Sequence, residues 1–189
     1  ITKYRATLSP TTAPQLVQDA VFQACEGRPG PVLLDLPSDF GRAECAAALP
    51  TKPHAPQALS PEDPALSAAR KFIEQHTRIA VIAGADCIRA GVLAELKEFV
   101  EQIGGVVLVG MEARGVFPDS HRQHMGMPGM HGTVGAVGAL QRSDLLIALG
   151  TRFDDRVTGK LSSFAPNATV VHADVDPAEI SKNRTADVP

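Results

Sequence analysis

The sequence contains no Trp, one Tyr and only 4% aromatic residues. It has no cluster of Lys and Arg with interleaved aromatics, and its formal charge of −3 exerts no long-range pull on phosphate backbones. A nucleic-acid partner is not expected. No apolar run approaches the roughly 20 residues that span a bilayer, so no membrane partner is expected either. Cys25, Cys45 and Cys87 form no CxxC pair and no His/Cys spacing that suits a metal, and they read as reduced thiols. No basic segment followed by an apolar stretch opens the chain, which predicts a cytoplasmic protein without a signal peptide. No GxGxxG follows the first strand of the main repeat pattern. No nucleophile motif with recognisable context is present, so no catalytic residue and no metal ligand is assigned.

What is there is an ordinary globular composition, 44% apolar and 21% charged over 189 residues, arranged in two regimes. In the first, residues 1–45, Thr12-Ala-Pro-Gln15 reads as a capping box. A helix then runs through Val17, Ala20, Val21 and Ala24. After Pro29-Gly30-Pro31, Val32 to Leu36 reads as a buried strand stopped by Pro37. A helix and one strand close no core, so this part is expected to be the last αβ unit of a domain whose body lies elsewhere. The chain opens on Ile1, which also predicts a piece of a longer protein. Val32–Leu36 is then expected to stay out of the main sheet. Residues 46–60 are rich in Ala and Pro and read as a linker.

The second regime, residues 61–189, starts with Ser60-Pro61 as a helix start signal, followed by Glu62 and Asp63 near the positive end of the dipole. Strands are predicted at Ile79–Ala83, Val106–Val109, Leu145–Leu149 and Thr169–His172. Helices fall between them, through Leu93, Leu96 and Val100 and from Thr133 to Leu140. Asp176-Pro177-Ala-Glu179 predicts one more helix. Strands alternating with helices imply an α/β fold, a parallel sheet covered on both faces.

Ligands of such sheets bind beyond the carboxyl ends of the strands. The residues there are Gly84 after the first strand and Gly110 to Gly115 after the second. Gly150, Arg152, Asp154, Asp155 and Arg156 follow the third, and Asp174 and Val175 the fourth. Gly129, Met130 and His131 lead into a helix N-terminus, where open N–H groups favour an anion. Arg152 suits phosphate, and Asp174 suits a ribose hydroxyl or an adenine amine. Each has a plainer alternative. Gly84 can be only a turn residue, His131 a hydrogen-bonded structural histidine, Asp155 and Arg156 a structural ion pair, and Asp174 the cap of a turn. From the residues alone the chain is a nucleotide- or dinucleotide-binding α/β domain.

Three stretches extend this. Gly27-Arg-Pro-Gly-Pro-Val-Leu-Leu-Asp-Leu-Pro37 resembles the end of the pyrimidine-binding domain of thiamine-diphosphate enzymes. Gly126-Met-Pro-Gly-Met-His-Gly-Thr133 resembles the FAD-contacting segment of acetohydroxyacid (acetolactate) synthases. Leu145 to Asn183 resembles the same synthases without a gap. The resemblance implies a three-layer α/β/α domain with a six-stranded, Rossmann-like (DHS-like) parallel sheet. It implies structural FAD, with contacts from Arg28, Gly84, Gly129, Met130, His131, Gly150, Arg152, Asp154, Asp174 and Val175. Asp155 and Arg156 are implied to line the substrate channel. The implied reaction decarboxylates pyruvate on thiamine diphosphate with Mg²⁺ and joins the two-carbon unit to a second 2-ketoacid. The groups that hold thiamine diphosphate and Mg²⁺ are expected outside this chain, which alone should be inactive. Orphaned apolar surface on the first part favours a homo-oligomer, and a regulatory small subunit is a further expected protein partner.

The sequence departs from the family pattern in three places. Ala83-Gly84-Ala85-Asp86 stands where a Gly triplet is common, and its methyl groups and carboxylate are expected to crowd or repel the FAD diphosphate. Met111-Glu112 replaces an apolar pair, and Ser38 a Lys. A sister thiamine enzyme, such as a glyoxylate carboligase or 2-ketoacid decarboxylase, is one competing reading. A free-standing nucleotide-binding module is another.

Overall fold

The computed structural model describes residues 2–44 and 59–189. Most of the expected linker, and Cys45, lie outside the described residues. The chain divides into two compact units, Ile1–Leu59 and Ser60–Pro189.

The first unit holds β1 (Tyr4–Thr7), α1 (Ala13–Cys25) and β2 (Val32–Asp35). β1 and β2 pair in parallel, Tyr4 opposite Val32 and Thr7 opposite Asp35, and α1 packs on both. As expected, β2 takes no part in the larger sheet. β1 escaped the sequence reading because Tyr-Arg-Ala-Thr has no apolar run, although its burial alternates as a half-covered strand requires. The capping box does not form. Thr12 makes no side-chain cap, its hydroxyl instead bonding Ser9 Oγ at 2.7 Å. Gln15 turns forward to Asp19 Oδ1, 2.7 Å away.

The second unit begins with α2 (Pro64–Gln75). Its start lies later than expected. Asp63 is the N-cap, accepting from Ala65 N at 2.8 Å, and Pro64 takes the first turn. Ser60 is spent on a turn, donating to the Glu62 carboxylate, where it holds that group below its ordinary pKa. β3 (Ile79–Ala83), α3 (Ala85–Ala90), α4 (Leu93–Ile103), β4 (Val106–Val109) and β5 (His124–Gly126) follow. Then come α5 (Val134–Arg142), β6 (Leu145–Leu149), α6 (Asp155–Thr158) and β7 (Thr169–Ala173). The sheet order is β5-β4-β3-β6-β7, all parallel.

Alternation within the strands builds two cores. Ile79, Val81, Val107, Val109, Leu145 and Ile147 face α2 and α4 through Phe72, Leu96 and Val100. Ala80, Ile82, Leu108, Leu146 and Ala148 face α5 through Ala136 and Leu140, with Phe153 and Phe164 beside them. Both faces are covered, so the strands read as continuous apolar runs, and the three-layer α/β/α class holds.

Two expectations fail here. The sheet has five strands among the described residues, with only a single parallel bridge, Val171 to Val188, in the sixth position. The helix expected at Asp176 does not form. Asp176 does cap, accepting from Ala178 N at 3.0 Å. Residues 177–181 make only turns, and Ser181 has φ of +61°. A left-handed residue one turn in ends a helix before it propagates. No helix among the described residues is long and apolar enough to cross a membrane.

Candidate cofactor-binding edge

Chain order reverses direction between β3 and β6, with β4 and β5 to one side and β7 to the other. Loops leaving β3 and β6 at such a point normally diverge and leave a crevice. Here they touch. Gly84 N donates to Leu149 O at 2.9 Å, and Asp86 N points at Gly150 O. A Cβ on Gly84 would collide with the Gly150 carbonyl, so loop packing itself demands this glycine. Gly150, at φ +57°, is tied in turn to β7 through its N–H and Ala173 O, 2.8 Å apart.

The segment after β5 crosses to the same place. Gly129, at φ +94°, leaves no room for a Cβ against Arg156 O, and Met130 N donates to that same oxygen at 3.1 Å. The segment ends in α5, whose N-cap Thr133 accepts from Ala136 N at 3.1 Å and donates to Met125 O at 2.6 Å. The N–H groups of Val134 and Gly135 meet no acceptor among the described residues. His131 is exposed beside them.

After Gly150, burial alternates along the chain. Thr151 and Phe153 are buried, while Arg152 between them is half-buried and its guanidinium has no partner among the described residues. Asp154 caps α6, its Oδ1 accepting from Arg156 N at 3.1 Å and Val157 N at 3.2 Å. Asp155 and Arg156 are both exposed, 3.8 Å apart, a pair that water screens to little value. After β7, the Asp174 side chain is only 4% exposed, and its Oδ1 accepts from Asp176 N at 2.9 Å. It caps a turn, the plainer of its two sequence readings, and its Oδ2 lies 3.9 Å from His172 Nε2. Apolar side chains stay exposed around this edge: Met111, Met130 (66%), Val134 (91%) and Val175.

The backbone thus ties Gly84 to Gly150, Gly150 to β7 just before Asp174, and Gly129 and Met130 to Arg156. Arg28 belongs to the first unit, exposed, with its carbonyl accepting from Lys3 Nζ at 3.0 Å. The structure places two members of the Ala83-Gly84-Ala85-Asp86 run away from open space. The Ala83 methyl is wholly buried in the core, and the Asp86 carboxylate is paired with Arg89 Nε at 2.8 Å. Glu112 is exposed beside Met111, and Ser38 is exposed in the first unit. Among the described residues no group of three His, Cys, Asp or Glu could hold a metal ion.

Sequence reasoning missed His172 and Asn183. His172 is fully buried, with Nε2 3.0 Å from Thr151 O, and Asn183 Nδ2 donates to Phe153 O at 2.7 Å. The available signal was a histidine inside an apolar strand, since a buried polar group needs a partner.

Residues 66–189 match the family model described as "Thiamine pyrophosphate enzyme, central domain". The chain is 51% identical over 187 residues to a Mycobacterium bovis protein named acetolactate synthase, covering 93% of this chain and 29% of that protein. It is 46% identical over 193 residues to the acetolactate synthase large subunit of Corynebacterium glutamicum, covering 100% of this chain and 31% of that protein. It is 42% identical over 177 residues to the chloroplastic acetolactate synthase 1 of Zea mays, covering 90% of this chain and 27% of that protein. The chain therefore spans less than a third of the length of these relatives. With the family model matched across the whole five-stranded sheet, the chain belongs to the thiamine pyrophosphate enzymes, as their central domain.

Proposed function

We propose that this chain is the FAD-binding central part of an acetolactate synthase. Residues 1–45 would be the tail of the pyrimidine-binding domain and residues 61–189 the central domain. The observation that carries this reading is Arg152, a half-buried residue at the carboxyl end of β6 whose guanidinium has no partner among the described residues. Leaving a cation half-buried and unpaired is costly, and an anion such as a diphosphate relieves it. The other residues suit the same group. α5 begins with open N–H groups for phosphate. Met130, Val134 and Val175 offer apolar surface to flat rings, and Asp174, whose Oδ1 caps a turn, is the proposed acceptor for a ribose or adenine donor through Oδ2 once the ligand displaces its cover. Gly84, Gly129 and Gly150 shape the loops, and His131 and Asp154 stand beside them. Arg28, in the first unit, is read as a cofactor contact from the family resemblance alone.

In the whole protein, pyruvate is decarboxylated and its two-carbon unit joined to a second 2-ketoacid, in branched-chain amino-acid biosynthesis. Thiamine diphosphate with Mg²⁺ supplies the carbanion-stabilising chemistry of that reaction, and its ligands belong to parts of the relatives that this chain does not span. FAD has a structural role, and the exposed Asp155 and Arg156 face the substrate channel. The protein is read as a cytoplasmic homo-oligomer with a regulatory small subunit. The names of the relatives support this reading. Calorimetric titration of FAD into the wild type and Arg152→Ala tests it. The variant should bind about ten- to a hundredfold more weakly, as loss of a charge-assisted bond of about 1.5–3 kcal/mol implies. Equal affinities would sink the phosphate role of Arg152.

A further inference from the structure

We propose that His172 and Asn183 are positioning residues which hold the loop after β6 so that Arg152 presents its guanidinium to the ligand. The proposal rests on the FAD reading above and deepens it. Their two hydrogen bonds bracket Arg152. His172 Nε2 reaches the Thr151 carbonyl at 3.0 Å, and Asn183 Nδ2 reaches the Phe153 carbonyl at 2.7 Å. The carbonyls on both sides of Arg152 are therefore fixed by side chains from β7 and from the segment beyond it. The Phe153 ring adds a third hold, packed 4.8 Å from the His172 ring and 5.5 Å from Phe164.

A carbonyl only accepts, so Nε2 is the donor to Thr151 O. Nδ1 is buried and has no partner among the described residues. An aliphatic residue would fill this position in β7 without leaving a buried ring nitrogen unpaired. The histidine is thus explained by what its other nitrogen does for Thr151, and packing alone does not account for it. Asn183 is reached because the chain folds back after β7. Asp174 and Asp176 each cap a following N–H, and Ser181 turns left-handed. The same turn sequence that prevents a helix at Asp176 carries Asn183 to Phe153. A pre-ordered guanidinium binds its anion without first losing the freedom of its own loop.

The test compares the wild type, His172→Leu, His172→Gln, Asn183→Ala and Arg152→Ala, with His172→Leu and Asn183→Ala also placed in the Arg152→Ala background. FAD affinity is read by titration, and amide exchange over residues 150–157 is read without FAD. His172→Leu and Asn183→Ala should each weaken FAD about tenfold and speed exchange in that window. His172→Gln, which restores a donor, should recover part of the affinity. In the Arg152→Ala background the same changes should cost little more, because their effect passes through Arg152. Equal losses in both backgrounds would overturn the proposal, as would FAD affinities matching the wild type. Asn183→Ala carries the test should His172→Leu fail to fold. If the wild type takes up no FAD, the ligand reading fails separately. The exchange arm then decides the anchoring alone, and unchanged exchange over 150–157 in Asn183→Ala overturns it.

Discussion

Gly84 shows at the scale of single residues why a glycine beside a putting-together of loops need not mark a phosphate. The space its Cβ would take is filled by the Gly150 carbonyl, a backbone atom that cannot rotate away. Gly84→Ala should therefore cost about 1–3 kcal/mol or more, read as a lower midpoint in urea at unchanged m. A variant as stable as the wild type would mean that the loops after β3 and β6 do not touch. Asp144 is a second case. Burial pushes its carboxyl upward, but the backbone N–H and guanidinium of Arg78 outweigh that and hold it below its ordinary 3.8. The distances are 2.9 Å to Arg78 N and 3.3 Å to Arg78 Nε. A depressed folded pKa stabilises above the unfolded pKa, and that contribution fades as pH falls through the folded value. Asp144→Asn should thus cost about 1 kcal/mol at pH 7, modest because Arg78 is largely exposed, and the gap should close as pH falls below about 4. A gap independent of pH would show that the charge of Asp144 contributes nothing. Neither role was legible beforehand, since each residue acts through a partner more than 60 positions away.

Elements were more legible than residues, and unevenly so. β3, β4, β6 and the core of β7 could be read from their apolar runs because both faces of a central parallel strand are buried. β5 could not, because His-Met-Gly at the sheet edge is only half-covered and its register slips against Val107 and Leu108. Caps were less legible. Thr133, read as the first residue of a helix, is the N-cap of α5, whereas Thr12 was captured by Ser9 and Ser60 by Glu62. Thr133 also joins α5 to β5 through Met125 O. Thr133→Ala should therefore lower stability by about 1–2 kcal/mol, and Thr133→Ser should restore most of it by keeping the hydroxyl. Thermal unfolding of the three proteins checks this. Equal losses for Ala and Ser would assign the effect to the methyl group, which sits against Gly126.

At the scale of the whole chain, the strand-helix alternation announces the fold class but not the strand order. That order depends on which way each crossover turns, and the edge placement of β5 was therefore beyond pattern reading. The difference between the two units follows from the same packing. In the second unit both faces of β3 and β6 are sealed by helices and aromatic rings. In the first unit the buried apolar residues among those described are Leu8, Ala13 and Ala20, while Leu33, Leu36, Val21 and Phe22 stay exposed. Two strands and one helix bury too little to resist opening, and a two-stranded sheet is marginal by itself. Amides of β3 and β6 should then exchange only through global unfolding. Those of β1 and β2 should exchange through local opening, at least about a hundredfold faster, a difference of about 2.7 kcal/mol in opening free energy. Hydrogen exchange resolved to Leu33 and Leu34 on one side and Val81 and Ile147 on the other measures this directly. Equal protection in the two sets would mean that the first unit is stabilised by contacts beyond its own α1, β1 and β2.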